Sequence, residues 1–264
     1  MNGYRLKAAL TLLFLLIVVL LFGNIMYSTS QPTTISGEAI ASTISVLKAN
    51  GITITEESIP DKSISMKELQ AQNSLPERDS LVKALLGENA LKKDETYYAD
   101  GDASLVFRGN TFSYVSQTPK FSSFFSGLSK SNLTKKATKF LDICGIPYEK
   151  KKIEKQGESY IITFYDEKNS FPIFDSNIKM VLSSEGLYSI QGSWVSIQET
   201  NGKPQKVKNI TGVLVDFALS RPRPQKQSVI VDITLGYQLQ NDTHLSPVWK
   251  ITLDDKHTYY LDAT

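Results

Sequence analysis

The chain has 264 residues, 29 Lys and Arg against 27 Asp and Glu, and a single cysteine, Cys144. A net charge of +2 offers no bulk field for nucleic acid or anionic lipid, and one cysteine excludes an internal disulfide. The length allows one large or two ordinary domains with real cores.

Taken in chain order, the first signal is the stretch from Arg5 to Tyr27: two basic residues, then an apolar run from Ala8 to Phe22 that continues to Met26. About 20 apolar residues match the hydrocarbon core of a bilayer, so the run predicts a transmembrane helix over 8–27. A signal peptide has a shorter apolar core and a small-residue cleavage site, for which Ser28-Thr29-Ser30 is a poor candidate. Arg5 and Lys7 place residues 1–7 in the cytoplasm by the positive-inside rule, and the rest outside the cell membrane. Removing those two leaves 27 basic residues against 27 acidic ones, so the outer portion is formally neutral. A sizeable outer domain without disulfides fits a bacterial surface. The N-x-[ST] matches at Asn132, Asn209 and Asn241 then read as chance.

After a linker over 28–35, Ser36 opens a helical pattern carrying Ala39, Ile40, Ile44 and Leu47, stopped by Asn50-Gly51; Ile52 to Ile59 alternates as a strand. A second helix, Pro76 to Leu86, is opened by Ser74 and Glu77 and closed by Gly87. Strands at Thr96–Ala99, Ser104–Arg108 and Thr111–Ser116 flank the turns Asp100-Gly101 and Gly109-Asn110. Residues 117–130 are a linker whose Phe121, Phe124 and Phe125 dock the two halves together.

Asn132 precedes the next helix, with Leu133, Ala137, Phe140, Leu141 and Cys144 on one stripe and Gly145 as its stop. Cys144 reads as a small core residue. Strands Ile153–Lys155, Tyr160–Tyr165, Ile178–Leu182 and Leu187–Val195 follow, joined at Gln156-Gly157 and Glu185-Gly186. A short helix, Ile210–Leu219, is capped by Asn209 and ended by Arg221-Pro222-Arg223-Pro224. Ser228–Gln240, Pro247–Leu253 and Thr258–Leu261 complete the strands. Because helix, Gly-Ile and strand recur around Gly51 and Gly145, the predicted architecture is α+β: an amino-terminal transmembrane helix followed by two similar units of helix packed on a largely antiparallel β-sheet, over 36–116 and 131–264.

Catalytic signals are scarce, and no enzyme, cofactor or metal is expected. No phosphate loop, nucleophile elbow or HExxH occurs. The histidines are His244 and His257; Asp254, Asp255, His257 and Asp262 read as a solvated turn rather than a metal site. Asp166, Glu167 and Asp175 flank Phe171-Pro172-Ile173-Phe174 and could form a glycosidase pair if they shared a groove. The long strand Ser228–Gln240, with Val229, Val231, Ile233 and Leu235 on one face, is a candidate edge for a partner, as is the Phe-rich linker.

The segment Phe171-Pro172-Ile173-Phe174-Asp175 leading through Glu185-Gly186 to Gly192-Ser193-Trp194, and the ending Pro247-Val248-Trp249-Lys250-Ile251 through Thr258-Tyr259-Tyr260-Leu261, resemble the YycH/YycI family, with YycI nearer in length. The resemblance implies a bitopic regulator of the WalK/WalR (YycG/YycF) two-component system of low-GC Gram-positive bacteria. It further implies a WalK-like sensor histidine kinase and a YycH-like protein as partners. In that family the membrane helix contributes to the contact, for which Thr11, Leu15, Val18, Phe22 and Ile25 share a heptad-like face here. The alternative is an extracytoplasmic scaffold or interaction protein of cell-wall or division machinery, in which the helix only localises the outer domains.

Overall fold

The structure is a computed structural model that describes residues 17–18, 34–73, 78–127, 129–146, 148–198, 202–220, 227–241 and 243–264. Its elements run α1 (Gly37–Ala49), β1 (Ile52–Thr53), β2 (Ser65–Met66), β3 (Leu69–Asn73), α2 (Arg78–Leu86), β4 (Leu91–Lys92), β5 (Tyr97–Asp100), β6 (Ala103–Arg108), β7 (Thr111–Lys120), α3 (Ser122–Phe125), α4 (Lys130–Ile143), β8 (Lys150–Gln156), β9 (Ser159–Lys168), β10 (Phe171–Ser183), β11 (Gly186–Ser193), β12 (Val195–Gln198), β13 (Gln205–Lys206), α5 (Ile210–Ser220), β14 (Ser228–Gln240), β15 (His244–Leu253) and β16 (Thr258–Asp262). This is a mixed α+β protein with a large, mostly antiparallel sheet. Among the described residues no helix is long and apolar enough to cross a membrane. The predicted span 8–27 lies outside them, apart from Ile17 and Val18.

Chain contacts define two compact units, each assembled from separate stretches of sequence. The smaller joins the described residues up to Ser65 to Lys206–Ser228, and the larger joins Met66–Gln205 to Val229–Thr264. Neither coincides with 36–116 or 131–264, because the helix at 210–220 is used by the first unit and the strands after it by the second.

In the smaller unit α1 packs on α5. The Ser36 hydroxyl accepts from the Ala39 amide at 3.3 Å, and Gly51 at φ 77° ends the helix in the left-handed region, as a C-terminal stop requires. Ile40, Thr43 and Leu47 of α1 are buried, as are Ile210, Val213, Leu214, Phe217 and Ala218 of α5. The strand expected over Ile52–Ile59 ends at Thr53, and Glu56–Ser58 form a turn of 3₁₀ helix. Thr55 and Ser58 hydroxyls meet at 2.6 Å and the Ile59 amide donates to Glu56, so local polar bonds outcompete the ladder that the alternation predicted.

In the larger unit eight strands lie in the order β8-β9-β10-β11-β7-β6-β5-β4, every neighbouring pair antiparallel. Helices α2 and α4 cover one face. Leu81, Val82, Leu85 and Leu86 of α2 and all five stripe residues of α4 join Leu105, Phe107, Phe112, Tyr114, Ile162, Phe164, Met180 and Ile190 of the sheet in one core. α4 starts at Lys130, earlier than predicted: Ser129 is the cap, and its amide donates to the Asn132 Oδ1 at 2.8 Å inside the first turn, the capping-box geometry.

The remaining strands of this unit branch from β10. Between its pairs with Glu167 and Tyr165, β10 sets the four residues Ile173–Ser176 against the single Asp166, and there it leaves β9 to pair in parallel with β14 at Ile173–Tyr237. β14 pairs antiparallel with β15, which carries β16 and β3, and β3 carries β12. Gly236 permits the junction, since a Cβ there would lie 2.5 Å from the Pro172 carbonyl oxygen and 2.6 Å from the Phe174 ring.

Candidate interaction surface

Among the described residues, the face of the eight-stranded sheet opposite α2 and α4 is left partly exposed. One continuous cross-strand row runs Glu154-Ile161-Val181-Ser189-Val115-Ser104-Ala99-Leu91 across all eight strands. The next row runs Lys152-Thr163-Lys179-Gln191-Ser113-Val106-Tyr97. None of these residues is buried, and Leu91 and Val115 remain 60% and 48% exposed. Apolar side chains in the middle with lysines toward β8 make a mixed surface suited to a protein partner. Sequence reasoning found the alternation of these strands but assigned no role to their outer positions.

The predicted edges fall differently. β14 is interior, bonded to β15 along most of its length and to β10 near its end. An outermost strand of the eight is β8, exposed at every position and carrying Lys150, Lys151, Lys152 and Lys155, a charged edge that resists strand addition. The Phe-rich stretch is not a loop: β7 runs on to Lys120, and α3 follows. Phe121, Phe124 and Phe125 surround Phe140 of α4 at ring distances of 4.9, 5.7 and 5.4 Å, docking α4 to the strands before it and leaving Phe125 wholly buried.

Of the candidate helix face, Thr11, Leu15, Phe22 and Ile25 lie outside the described residues; Val18 is helical and 44% exposed.

The three carboxylates serve separate ends. Asp175 accepts the Leu239 amide at 2.6 Å, extending the β10–β14 junction beyond its one ladder pair, and burial raises its pKa. Glu167 pairs with Lys150 at 2.8 Å. Asp166, opposite the β10 bulge, is pushed up to about 6, chiefly by burial and also by Glu149 and Glu167. The carboxyl-terminal acids organise turns. Asp254 receives the Val229 amide at 3.1 Å, Asp255 sits 3.0 Å from His257 Nδ1, and Asp262 receives the Thr264 amide at 3.0 Å. Among the described residues no three His, Cys, Asp or Glu side chains are grouped to hold a metal. Cys144 is buried, and burial pushes its thiol up to about 12, far from the reactive range.

Solved structures share this architecture. An uncharacterized protein from Eubacterium rectale ATCC 33656 matches with a TM-score of 0.52 at 12% identity, covering 79% of this chain and 85% of that one. YycH from Bacillus subtilis matches with a TM-score of 0.52 at 16% identity, covering 76% of this chain and 53% of that one, so the match spans about half of YycH. The class is therefore an α+β protein with the fold seen in YycH. The sequence itself matches the family model described as YycI protein over residues 31–264, and the chain belongs to that family. Membership carries the general role that the resemblance implied, regulation of the YycG/WalK system. No curated protein matches the chain.

Proposed function

We propose that this protein is a single-pass membrane regulator that binds a WalK-like sensor histidine kinase, together with a YycH-like protein, and restrains the kinase. Family membership over residues 31–264 carries the reading. The apolar run from Ala8 to Phe22 behind Arg5 and Lys7 supports an anchor with its amino terminus in the cytoplasm. Confinement to the bilayer plane raises the partner's effective concentration, so weak contacts suffice. The protein acts by binding, without catalysis of its own.

Co-purification from membranes, with identification of the bound proteins, tests the partner; recovery without any histidine kinase refutes it. Scrambling Ala8–Phe22 at equal hydrophobicity tests the helix: kinase output rises if the helix makes the contact and is unchanged if it is a tether. The open sheet face with exposed Leu91 and Val115 favours a second reading, a scaffold whose outer portion makes the contact. An outer portion released as a soluble fragment then still captures its partner, whereas a regulator acting through its helix loses effect. Hydrolysis of peptidoglycan by that fragment would refute the non-catalytic reading.

A further inference from the structure

The even balance of charge over the outer portion hides a local excess. β8 is exposed at every position and carries four lysines against one acid, Glu154. Side chains alternate along a strand, so Lys150 and Lys152 project on the open face of the sheet and Lys151 and Lys155 on the other. Lys150 is engaged by Glu167. Lys179 of β10 is exposed and stands in the same cross-strand row as Lys152, with only Thr163 between them. Lys152 at 2.8 Å, helped by Lys179 and by Lys256 of the β15–β16 turn, holds the Glu154 carboxyl below the usual carboxylate range. The acids beside Lys256 are occupied, Asp254 by the Val229 amide and Asp255 by the His257 amide. The result is one positive region around a single carboxylate.

An apolar component lies inside this region. Ile153, between Lys151 and Lys155, is 40% exposed. Beside it are two half-buried rings: Lys151 Nζ stands 5.7 Å from the centre of Tyr148, and Lys155 Nζ 6.0 Å from that of Tyr160, each stem lying on apolar surface while its head meets solvent. Lysine, tyrosine and a protruding isoleucine on one edge are the composition of surfaces that rest on a bilayer, where apolar groups enter the headgroup layer and ammonium groups meet anionic lipid. Every one of these cations is a lysine, a flexible point charge fitted to a diffuse layer of headgroups; recognition of one carboxylate or phosphate favours the fork of arginine. Lysines on both faces oppose the addition of an acidic strand, and a dissolved polyanion leaves Ile153 in water.

We propose that the β8 edge is a docking surface for an anionic lipid bilayer: Lys151, Lys152 and Lys155 meet the headgroup phosphates, Lys179 and Lys256 reinforce the field behind them, and Ile153 enters the headgroup layer. The contact rests on the anchoring reading, because a span over 8–27 holds the chain beside a bilayer and lets a weak contact form. It gives the larger unit two states, resting on lipid or free of it, with the balance set by lipid charge and ionic strength.

The test places the full chain in lipid nanodiscs that contain a nitroxide-headgroup lipid, with a bimane label on Gln156→Cys at the end of β8; buried Cys144 stays unlabelled. At about 50 mM salt the label is quenched about twofold or more in discs with about 30% phosphatidylglycerol and not in phosphatidylcholine discs, and about 500 mM salt removes the difference by screening. Lys151→Gln, Lys152→Gln and Lys155→Gln together lower the contact constant about a hundredfold, each lysine being worth about fivefold, and abolish the quenching. All three side chains are exposed, and an unchanged urea midpoint verifies the fold of the triple variant. A label on Lys92→Cys of β4, at the far end of the eight strands, stays bright in every disc. Equal brightness in both lipids, quenching indifferent to salt or to the glutamines, or equal quenching at Lys92→Cys overturns the proposal. Binding of polyglutamate by a chain that shows no quenching also overturns it and assigns the edge to an acidic polymer or protein. Retention in the discs, read by size exclusion, tests the anchor separately: a chain held only by anionic discs keeps the edge and refutes the anchor, and a chain held by neither refutes both.

Discussion

The same chemical change, Gly→Ala, has opposite signs at two positions, and the junction between β10 and β14 decides one of them. At Gly236 an ideal Cβ lies 2.5 Å from the Pro172 carbonyl oxygen and 2.6 and 2.8 Å from Phe174 ring atoms, where ordinary contact begins near 3.4 Å. The carbonyl is backbone, and the ring is hemmed in by Tyr260 at 5.3 Å and Lys250 Nζ at 5.4 Å. Neither can yield without moving a strand. Overpacking of this kind costs about 1–3 kcal/mol, and the fixed obstacles put Gly236→Ala near the top, about 3 kcal/mol. At Gly212, inside α5, a Cβ meets nothing within 4 Å, so Gly212→Ala gains helix propensity and stabilises by about 0.5–1 kcal/mol. Urea unfolding measures the first through Trp194 and Trp249, the chain's two tryptophans, both in the unit that holds Gly236. Amide exchange of α5 measures the second. A Gly236→Ala chain within about 0.5 kcal/mol of the parent, or two shifts of the same sign, would refute the packing argument.

Leu141→Ala removes a wholly buried α4 side chain from the core that also contains Trp194; it costs about 2–5 kcal/mol in urea unfolding followed by tryptophan fluorescence. Asp166 has a folded pKa raised to about 6 from 3.8, so its contribution is present below about pH 4 and lost as pH rises through 6. Asp166→Asn abolishes that loss. The variant gains about 1–2 kcal/mol on the parent between pH 4.5 and 7.5, the full shift being discounted for partial exposure. An unchanged difference in urea midpoints across that range refutes the burial of its charge. Cys144 resists iodoacetamide in the folded chain and is alkylated on unfolding, read by mass spectrometry; alkylation at the rate of a free thiol in native conditions contradicts its placement.

Much of the local order was legible. The α4 stripe Leu133, Ala137, Phe140, Leu141 and Cys144 is buried in full, and Gly101, Gly109 and Gly157 sit in hairpin turns at positive φ as their dipeptides imply. The β9–β10 turn was missed because Asn169 and Ser170 both adopt positive φ there, a role usually announced by Asn-Gly. Residues Leu69–Asn73 were missed because their strand is specified by its neighbours β15 and β12 rather than by alternation.

Periodicity, capping and turn chemistry act between residues a few positions apart, so the chain alone specified its longer helices, most of its hairpins and the apolar segment Ala8–Phe22. Pairing between distant strands depends on which surfaces meet after collapse. Tertiary structure alone therefore decided that β14 lies inside a sheet and that the bulge opposite Asp166 hands β10 from one set of strands to another.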